Sequence, residues 1–254
     1  MLKAFGLLMV LSLVLLPACG HIQVFLLPVA ESIGPEGTFR IDVGEEKLIA
    51  LTIDDGPSTH TGQILDLLAE NNATATFFIH ADHAAALGDA GQQVLQRVLA
   101  EGHELGNHTT ADVVSVSLKP AEFEATFYAA DAYLRSMDVE PRWFRTAGGT
   151  FNPEVMLPTV ITAGYEPTFA MASFLPWDTF LHLPGVYGRQ IGGAAFPGAI
   201  LVLHEGIDDK AGRGERTLTT LRELFRVAEN RGYRLRSLSE VVDYSRQVDA
   251  GQGL

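Results

Sequence analysis

Residues 51–59 read Leu51-Thr52-Ile53-Asp54-Asp55-Gly56-Pro57-Ser58-Thr59, an apolar run that ends in two carboxylates and a Gly-Pro turn. Lys47 to Ile53 reads as a strand. Side chains of neighbouring strand residues point to opposite faces, and adjacent anions repel each other. Asp54 and Asp55 at the mouth of a strand therefore need a reason that the rest of the chain must supply.

Outward from this strand, apolar stretches alternate with amphipathic ones. Strands are expected over Ala75 to Ile79, Glu104 to Asn107, Arg142 to Thr146, Thr168 to Met171, Ala199 to Leu203 and Tyr233 to Ser237. Helices are expected over Thr59 to Glu70, Gly91 to Ala100, Lys119 to Met137, Pro153 to Ala163, Arg216 to Arg231 and Glu240 to Arg246. Strand followed by helix, repeated, implies an α/β fold with parallel strands inside and helices outside, and in barrels of that kind the chemistry sits at the strand C-termini. The two aspartates lie at such an end.

With 254 residues, 47% of them hydrophobic, the chain can bury the core of one catalytic-sized domain. Eighteen Lys and Arg against 31 Asp and Glu leave a net charge of −13, which disfavours nucleic acid or an anionic membrane surface as main partner and favours a neutral or cationic substrate. Residues 1–19 carry one Lys and an uncharged apolar run, the layout of an export signal. The run stops at Leu16-Pro17-Ala18-Cys19, which resembles the lipobox of bacterial lipoproteins except for Pro17. Cys19 is then a candidate lipid anchor in the cell envelope, with a secreted or periplasmic protein behind a cleaved signal, or an uncleaved anchor, as the alternatives. As the only cysteine, it leaves no internal disulfide. The expected division is signal or anchor over 1–19, lead-in over 20–46, catalytic domain over 47–246 and tail over 247–254.

A second polar cluster spans residues 102–115, GHELGNHTTADVVS. If a helical turn starts at Thr109, His108 and Asp112 project from one face, close enough to hold one cation. Imidazole and carboxylate suit zinc and similar divalent ions. One of Asp54 and Asp55 could supply a third ligand from a neighbouring strand, leaving the other as a base beside a metal-activated water.

Thr52-Ile53-Asp54-Asp55-Gly56-Pro57 and His108-Thr109-Thr110-Ala111-Asp112 together resemble the first two motifs of the polysaccharide deacetylases of carbohydrate esterase family 4, the NodB homology domain. The likeness runs from about Lys47 to about Val242. It implies a distorted (β/α) barrel, with Asp54 as catalytic base and Asp55 and His108 as ligands of a divalent metal, zinc first and cobalt, nickel or manganese as alternatives. Asp112 stands where most members place a second histidine ligand. Trp143-Phe144-Arg145-Thr146-Ala147-Gly148-Gly149 resembles the third motif, in which the arginine pairs with the base; Ala147 and Gly148 replace a proline and a groove aromatic, and the Gly148 amide inherits the oxyanion contact. Pro176-Trp177-Asp178 resembles a loop whose aspartate holds that arginine, so Asp178 is expected to orient Arg145. Trp177 reads either as cover for a pyranose face or as a packed loop residue. Ile200-Leu201-Val202-Leu203-His204 resembles the last motif, with His204 as general acid and Val202 against the acetyl methyl. The activity this implies is removal of N-acetyl groups from an N-acetylglucosamine-type polysaccharide, chitin-like or peptidoglycan. Two rival readings are a glycan-binding pseudoenzyme of the same fold and a metal-dependent amidase on a small substrate. None of these motifs bears on oligomeric state.

Overall fold

The strand that carries the two aspartates runs past the apolar stretch to Gly56, and all of its residues are buried. The computed structural model describes residues 20–179, 182–206 and 212–251. Among these the strands are β1 (Gly37–Thr38), β2 (Leu48–Gly56), β3 (Thr76–Ile79), β4 (Glu104–Asn107), β5 (Phe169–Ala170), β6 (Ile200–His204) and β7 (Arg234–Arg236). The helices are α1 (Gly20–Ile33), α2 (Thr61–Glu70), α3 (Ala81–Ala86), α4 (Asp89–Ala100), α5 (Pro120–Arg135), α6 (Pro153–Thr162), α7 (Pro184–Ala194), α8 (Arg213–Arg231) and α9 (Leu238–Asp249).

β2 is the hub. It pairs in parallel with β3, β6 and β7, and β3 pairs in parallel with β4. β1 and β5 form a separate parallel pair, while single bridges from Asn107 to Phe144 and from Arg40 to Ala199 continue the wall beyond the main sheet. The result is a distorted (β/α) barrel with its helices outside.

The two-residue period of a strand sorts β2 into two faces. Ile49, Leu51 and Ile53 pack outward with Phe77, Leu201 and helix residues such as Leu65 and Leu221. Leu48 and Ala50 pack inward with Phe78, Trp143 and Ile200. Carried toward the C-terminal end, that inward face holds Thr52 and Asp54, and the same parity on the neighbouring strands leads to His80, His108 and His204. Each helix supplies the complementary stripe; in α8 the buried residues include Leu218, Leu221, Leu224, Phe225 and Ala228, at the spacing of one helix face.

Three expectations change. Arg142 to Thr146 is not a strand: it makes one bridge, at Phe144, closed by the Asn107 N–H to the Trp143 carbonyl and the Arg145 N–H to the Asn107 carbonyl, and Arg145 sends its side chain into the site. The lead-in over 20–46 contains a helix, α1, whose Leu27 is buried with Phe39 and Met156 and which packs against α7. Helices α3 and α7 were also not anticipated, one being only six residues long and the other interrupted by Gly185, Gly188, Gly192 and Gly193, which weaken a helical pattern. Cys19 and the whole of 1–19, like residues 252–254, lie outside the described residues. Among the described residues no helix is long and apolar enough to cross a membrane.

Phe144 is fully buried and its ring meets those of Phe123, Phe127 and Phe169. Phe144→Ala is expected to lower unfolding stability by about 3–5 kcal/mol in a denaturant titration, the cost of an aromatic-sized cavity. The variant also loosens the support next to Arg145, so metal content should be measured beside it.

Candidate active site

Two adjacent strand residues face one site because β2 is not regular at its end. The register with β3 shifts between Asp54 and Gly56, and Asp55 holds a left-handed backbone at φ 65°. Such a bulge adds a residue and re-aims its side chain. Asp54 keeps the inward face, level with His204 on β6. Asp55 turns to join it.

Asp55, His80 and His108 form the cluster that could hold a metal ion: one ligand atom from each lies within 4.8 Å of the other two, and all three residues are buried. His80 Nε2 and His108 Nε2 each stand 3.5 Å from Asp55 Oδ1. The imidazoles are stacked, with centroids 4.6 Å apart. His108 Nδ1–H donates to the Arg145 carbonyl at 2.8 Å, which leaves Nε2 free to face the ion. Both ring nitrogens of His80 are buried without a hydrogen-bond partner among the described residues. An orphaned buried polar group costs about 1–3 kcal/mol, and a bound dication would remove that penalty for the nitrogen facing Asp55. Two imidazoles and a carboxylate are the donor set of a three-ligand catalytic zinc site, so the residues present fit such an ion. Burial lowers the His80 pKa against the pull of Asp55 and so favours the neutral, ligating form. For His108, burial also disfavours charge, but contact with Asp55 and the field of Asp54 outweigh it and raise the pKa. Burial would raise the Asp55 pKa; the neighbouring His108 and His80, with the charge on His204, instead hold it far below the usual carboxylate range.

Asp112 is not part of this cluster. The helical turn that would have brought it beside His108 does not form: Thr109 is left-handed at φ 71°, its amide bound to Asn107 Oδ1, and the chain passes Ala111 and Asp112 as a bend. Asp112 is exposed. Its place in the donor set is taken by His80, which the sequence reading missed. The signal was there: Thr76-Phe77-Phe78-Ile79-His80 is a strand followed at once by a histidine, and β3 neighbours β2.

Arg145 donates Nη1 to Asp54 Oδ1 and to Thr52 Oγ1, both at 2.6 Å. Its Nε and Nη2 bond the carbonyls of Ala170 and Met171, and its guanidinium lies over Phe78. With Oδ1 so held, Asp54 Oδ2 faces His108 Nε2 at 3.9 Å and His204 Nε2 at 4.0 Å. Asp178 does not reach Arg145. It accepts from the His204 backbone N–H at 2.6 Å, and both its oxygens lie 3.1 Å from His204 Nδ1. It therefore orients the candidate acid and not the arginine, whose donors are already committed to β2 and to residues 170 and 171. Trp177 is packed into the outer core and is only 8% exposed. Val202 is buried on the face of β6 that also bears His204. Gly148 adopts φ 82° on an exposed turn, where a Cβ would lie 3.1 Å from Val114; Val114 is exposed, as is its neighbour Val113, so the edge at which Gly148 replaces the motif's aromatic is aliphatic.

Burial lowers the His204 pKa, but the charge and hydrogen bond of Asp178, helped by Asp55 and Asp54, outweigh this and raise it to about 9. The ring is thus protonated at neutral pH. Its contribution to stability is full below its ordinary value of 6.5 and is lost as pH rises through about 9. Asp178→Asn should bring the alkaline limb of the pH–rate profile down by about 1–3 units, the worth of one adjacent opposite charge. An unmoved limb would mean that another group titrates there.

Two more residues went unread in the sequence. His83 Nδ1 bonds the Asp55 carbonyl at 2.8 Å and its ring meets His80 edge-on, bracing both. Glu205 is fully buried behind the Gly56-Pro57 turn, accepting from Ser58 and Thr61, and burial pushes its carboxyl up to about 7.

A parallel α/β barrel with a carboxylate–imidazole cluster at its strand ends defines a class of hydrolytic site. The polysaccharide deacetylase family model matches residues 42–167. A peptidoglycan-N-acetylglucosamine deacetylase of Bacillus cereus is 31% identical over 202 residues, 78% of this chain and 90% of that protein. A chitooligosaccharide deacetylase of Rhizobium leguminosarum bv. trifolii is 32% identical over 208 residues, 77% and 92% of the two chains. The structure of a peptidoglycan deacetylase from Bacillus subtilis superposes with a TM-score of 0.69 at 23% identity, over 84% of this chain and 97% of that one, a likeness of fold. The chain belongs to the polysaccharide deacetylase family, the NodB-type deacetylases of carbohydrate esterase family 4.

Proposed function

We propose that the protein is a metal-dependent hydrolase that removes N-acetyl groups from an N-acetylglucosamine-type glycan, chitin-like or peptidoglycan. The observation that carries this reading is Asp54 Oδ2, held by Arg145 through the other oxygen and facing both the ligand cluster and His204. A divalent ion, zinc before cobalt, nickel or manganese, held by Asp55, His80 and His108 would supply Lewis-acid polarisation of the acetyl carbonyl and a water of lowered pKa. Asp54, aimed by its hydrogen bond from Arg145, takes the proton of the attacking water. The Gly148 amide donates to the developing oxyanion. Val202 lies against the acetyl methyl. His204 Nε2 delivers a proton to the amine nitrogen as the C–N bond breaks, with Asp178 balancing the imidazolium.

The test is acetate release from chitooligosaccharides and peptidoglycan by protein stripped with a chelator and reloaded with zinc. Release is expected only from the loaded protein. Loaded protein that binds these glycans and releases nothing is a pseudoenzyme; release only from small acylated amines makes it an amidase. We also propose an exported protein tethered through Cys19, supported by the apolar run that ends at that residue. Mass spectrometry of the mature N-terminus reads this, and a free terminus beyond Cys19 removes the tether.

A further inference from the structure

Asp55 shows its two oxygens to different partners. Oδ1 faces the two imidazoles at 3.5 Å, while Oδ2 accepts a hydrogen bond from Arg213 Nη1 at 3.1 Å. Arg213 is the first residue of α8, 158 positions from Asp55, and no motif of the sequence includes it. Its placement is built in. The first turn of α8 is docked on α2: the His60 ring occupies the space beside Gly214 that a Cβ would need, and His60 Nε2 lies 3.7 Å from Glu215. The arginine then runs along bare backbone at Gly206, where a Cβ would stand 3.3 Å from Nη1 and 3.4 Å from Cδ. Its side chain is 27% exposed and that of Asp55 only 9%, so this is a partly buried, charge-assisted contact and not a surface pair.

We propose that Arg213 is the positioning residue of the Asp55 ligand: it occupies Oδ2, so that Asp55 offers a metal ion one oxygen, Oδ1, on the side of His80 and His108. This rests on the reading of Asp55, His80 and His108 as the metal site. A buried carboxylate with one oxygen committed to a cation cannot pivot, and the remaining oxygen keeps its aim between the two imidazoles. Without Arg213 both oxygens become free to rotate toward an ion. Partners that hold a ligand from behind are commonly worth about 10–100-fold in metal affinity.

The experiment uses the full chain, stripped and titrated with Zn²⁺ and Co²⁺ against a chromophoric chelator, as wild type, Arg213→Ala and Arg213→Lys. Arg213→Ala should bind both ions about 10–100-fold more weakly. The Co²⁺ complex should also show an altered visible absorption band, because the carboxylate no longer binds through one fixed oxygen. Arg213→Lys keeps a cation within reach of Oδ2 and should recover part of the affinity and the wild-type band. Alanine and wild type binding alike, with the same band, overturns the proposal and leaves the site reading intact. Lysine failing as badly as alanine overturns it too, as does a rise in KM with unchanged metal affinity, which would make Arg213 a substrate contact. Wild type that takes up neither ion overturns the site reading, and this proposal with it.

Discussion

Asp54→Asn is expected to retain its metal and lose about 10²–10⁴-fold in turnover, whereas Asp55→Asn should lose the metal itself. The two residues are neighbours in sequence, and the bulge of β2 sends them to different work. Asp55 Oδ1 belongs to the ligand cluster, and a neutral amide oxygen there is a poorer partner for a dication than a carboxylate. Activity of Asp55→Asn should therefore follow metal occupancy and partly return at high zinc. Asp54 is tied to Arg145 at 2.6 Å and its other oxygen faces the site from outside the ligand set. Its amide cannot accept a proton at neutral pH, and added zinc should not help. Removing the charge leaves Arg145 buried beside a neutral group, at a cost of about 3–5 kcal/mol for a broken buried pair, so the folded fraction must be measured alongside the rate. Equal metal loss in both variants would show the base-and-ligand assignment to be wrong.

His80→Ala should weaken metal binding by more than about 100-fold, beyond the usual effect of a residue that only supports a ligand. Asp112→Ala should leave it unchanged. His80 is fully buried with both nitrogens unpartnered among the described residues, and its stacked position over His108 puts Nε2 at Asp55. Asp112 is an exposed residue on a bend. Elemental analysis after dialysis at one free-zinc concentration reads both variants. Loss of metal in Asp112→Ala with retention in His80→Ala would reverse the assignment and require the 109–112 segment to refold around the ion.

Much of this architecture was legible from the order of residues. β2, the parallel strands beside it and the long amphipathic helices follow from runs whose period matches their element, and that period is a local property of the chain. The position of Asp54 and Asp55 at a strand end and His204 closing β6 were legible for the same reason, whereas Arg145 was read inside a strand that does not form. So was the family, since its motifs lie in order along the chain.

Tertiary structure decided what local pattern could not. The His108–Asp112 spacing joins two ligands only if the backbone between them is helical, and one left-handed residue, Thr109, breaks that condition. His80 enters the site through register: Gly56 pairs with Ile79, so the residue after Ile79 arrives beside Asp55. Asp178 meets His204 and not Arg145 because the arginine's donors are already taken by Asp54, Thr52, Ala170 and Met171. Arg213 reaches Asp55 across 158 positions. Sequence determined which strand ends carry the chemistry because each strand is specified by its own neighbours. The pairing of those ends was settled by register and helix docking, which depend on residues far apart in the chain.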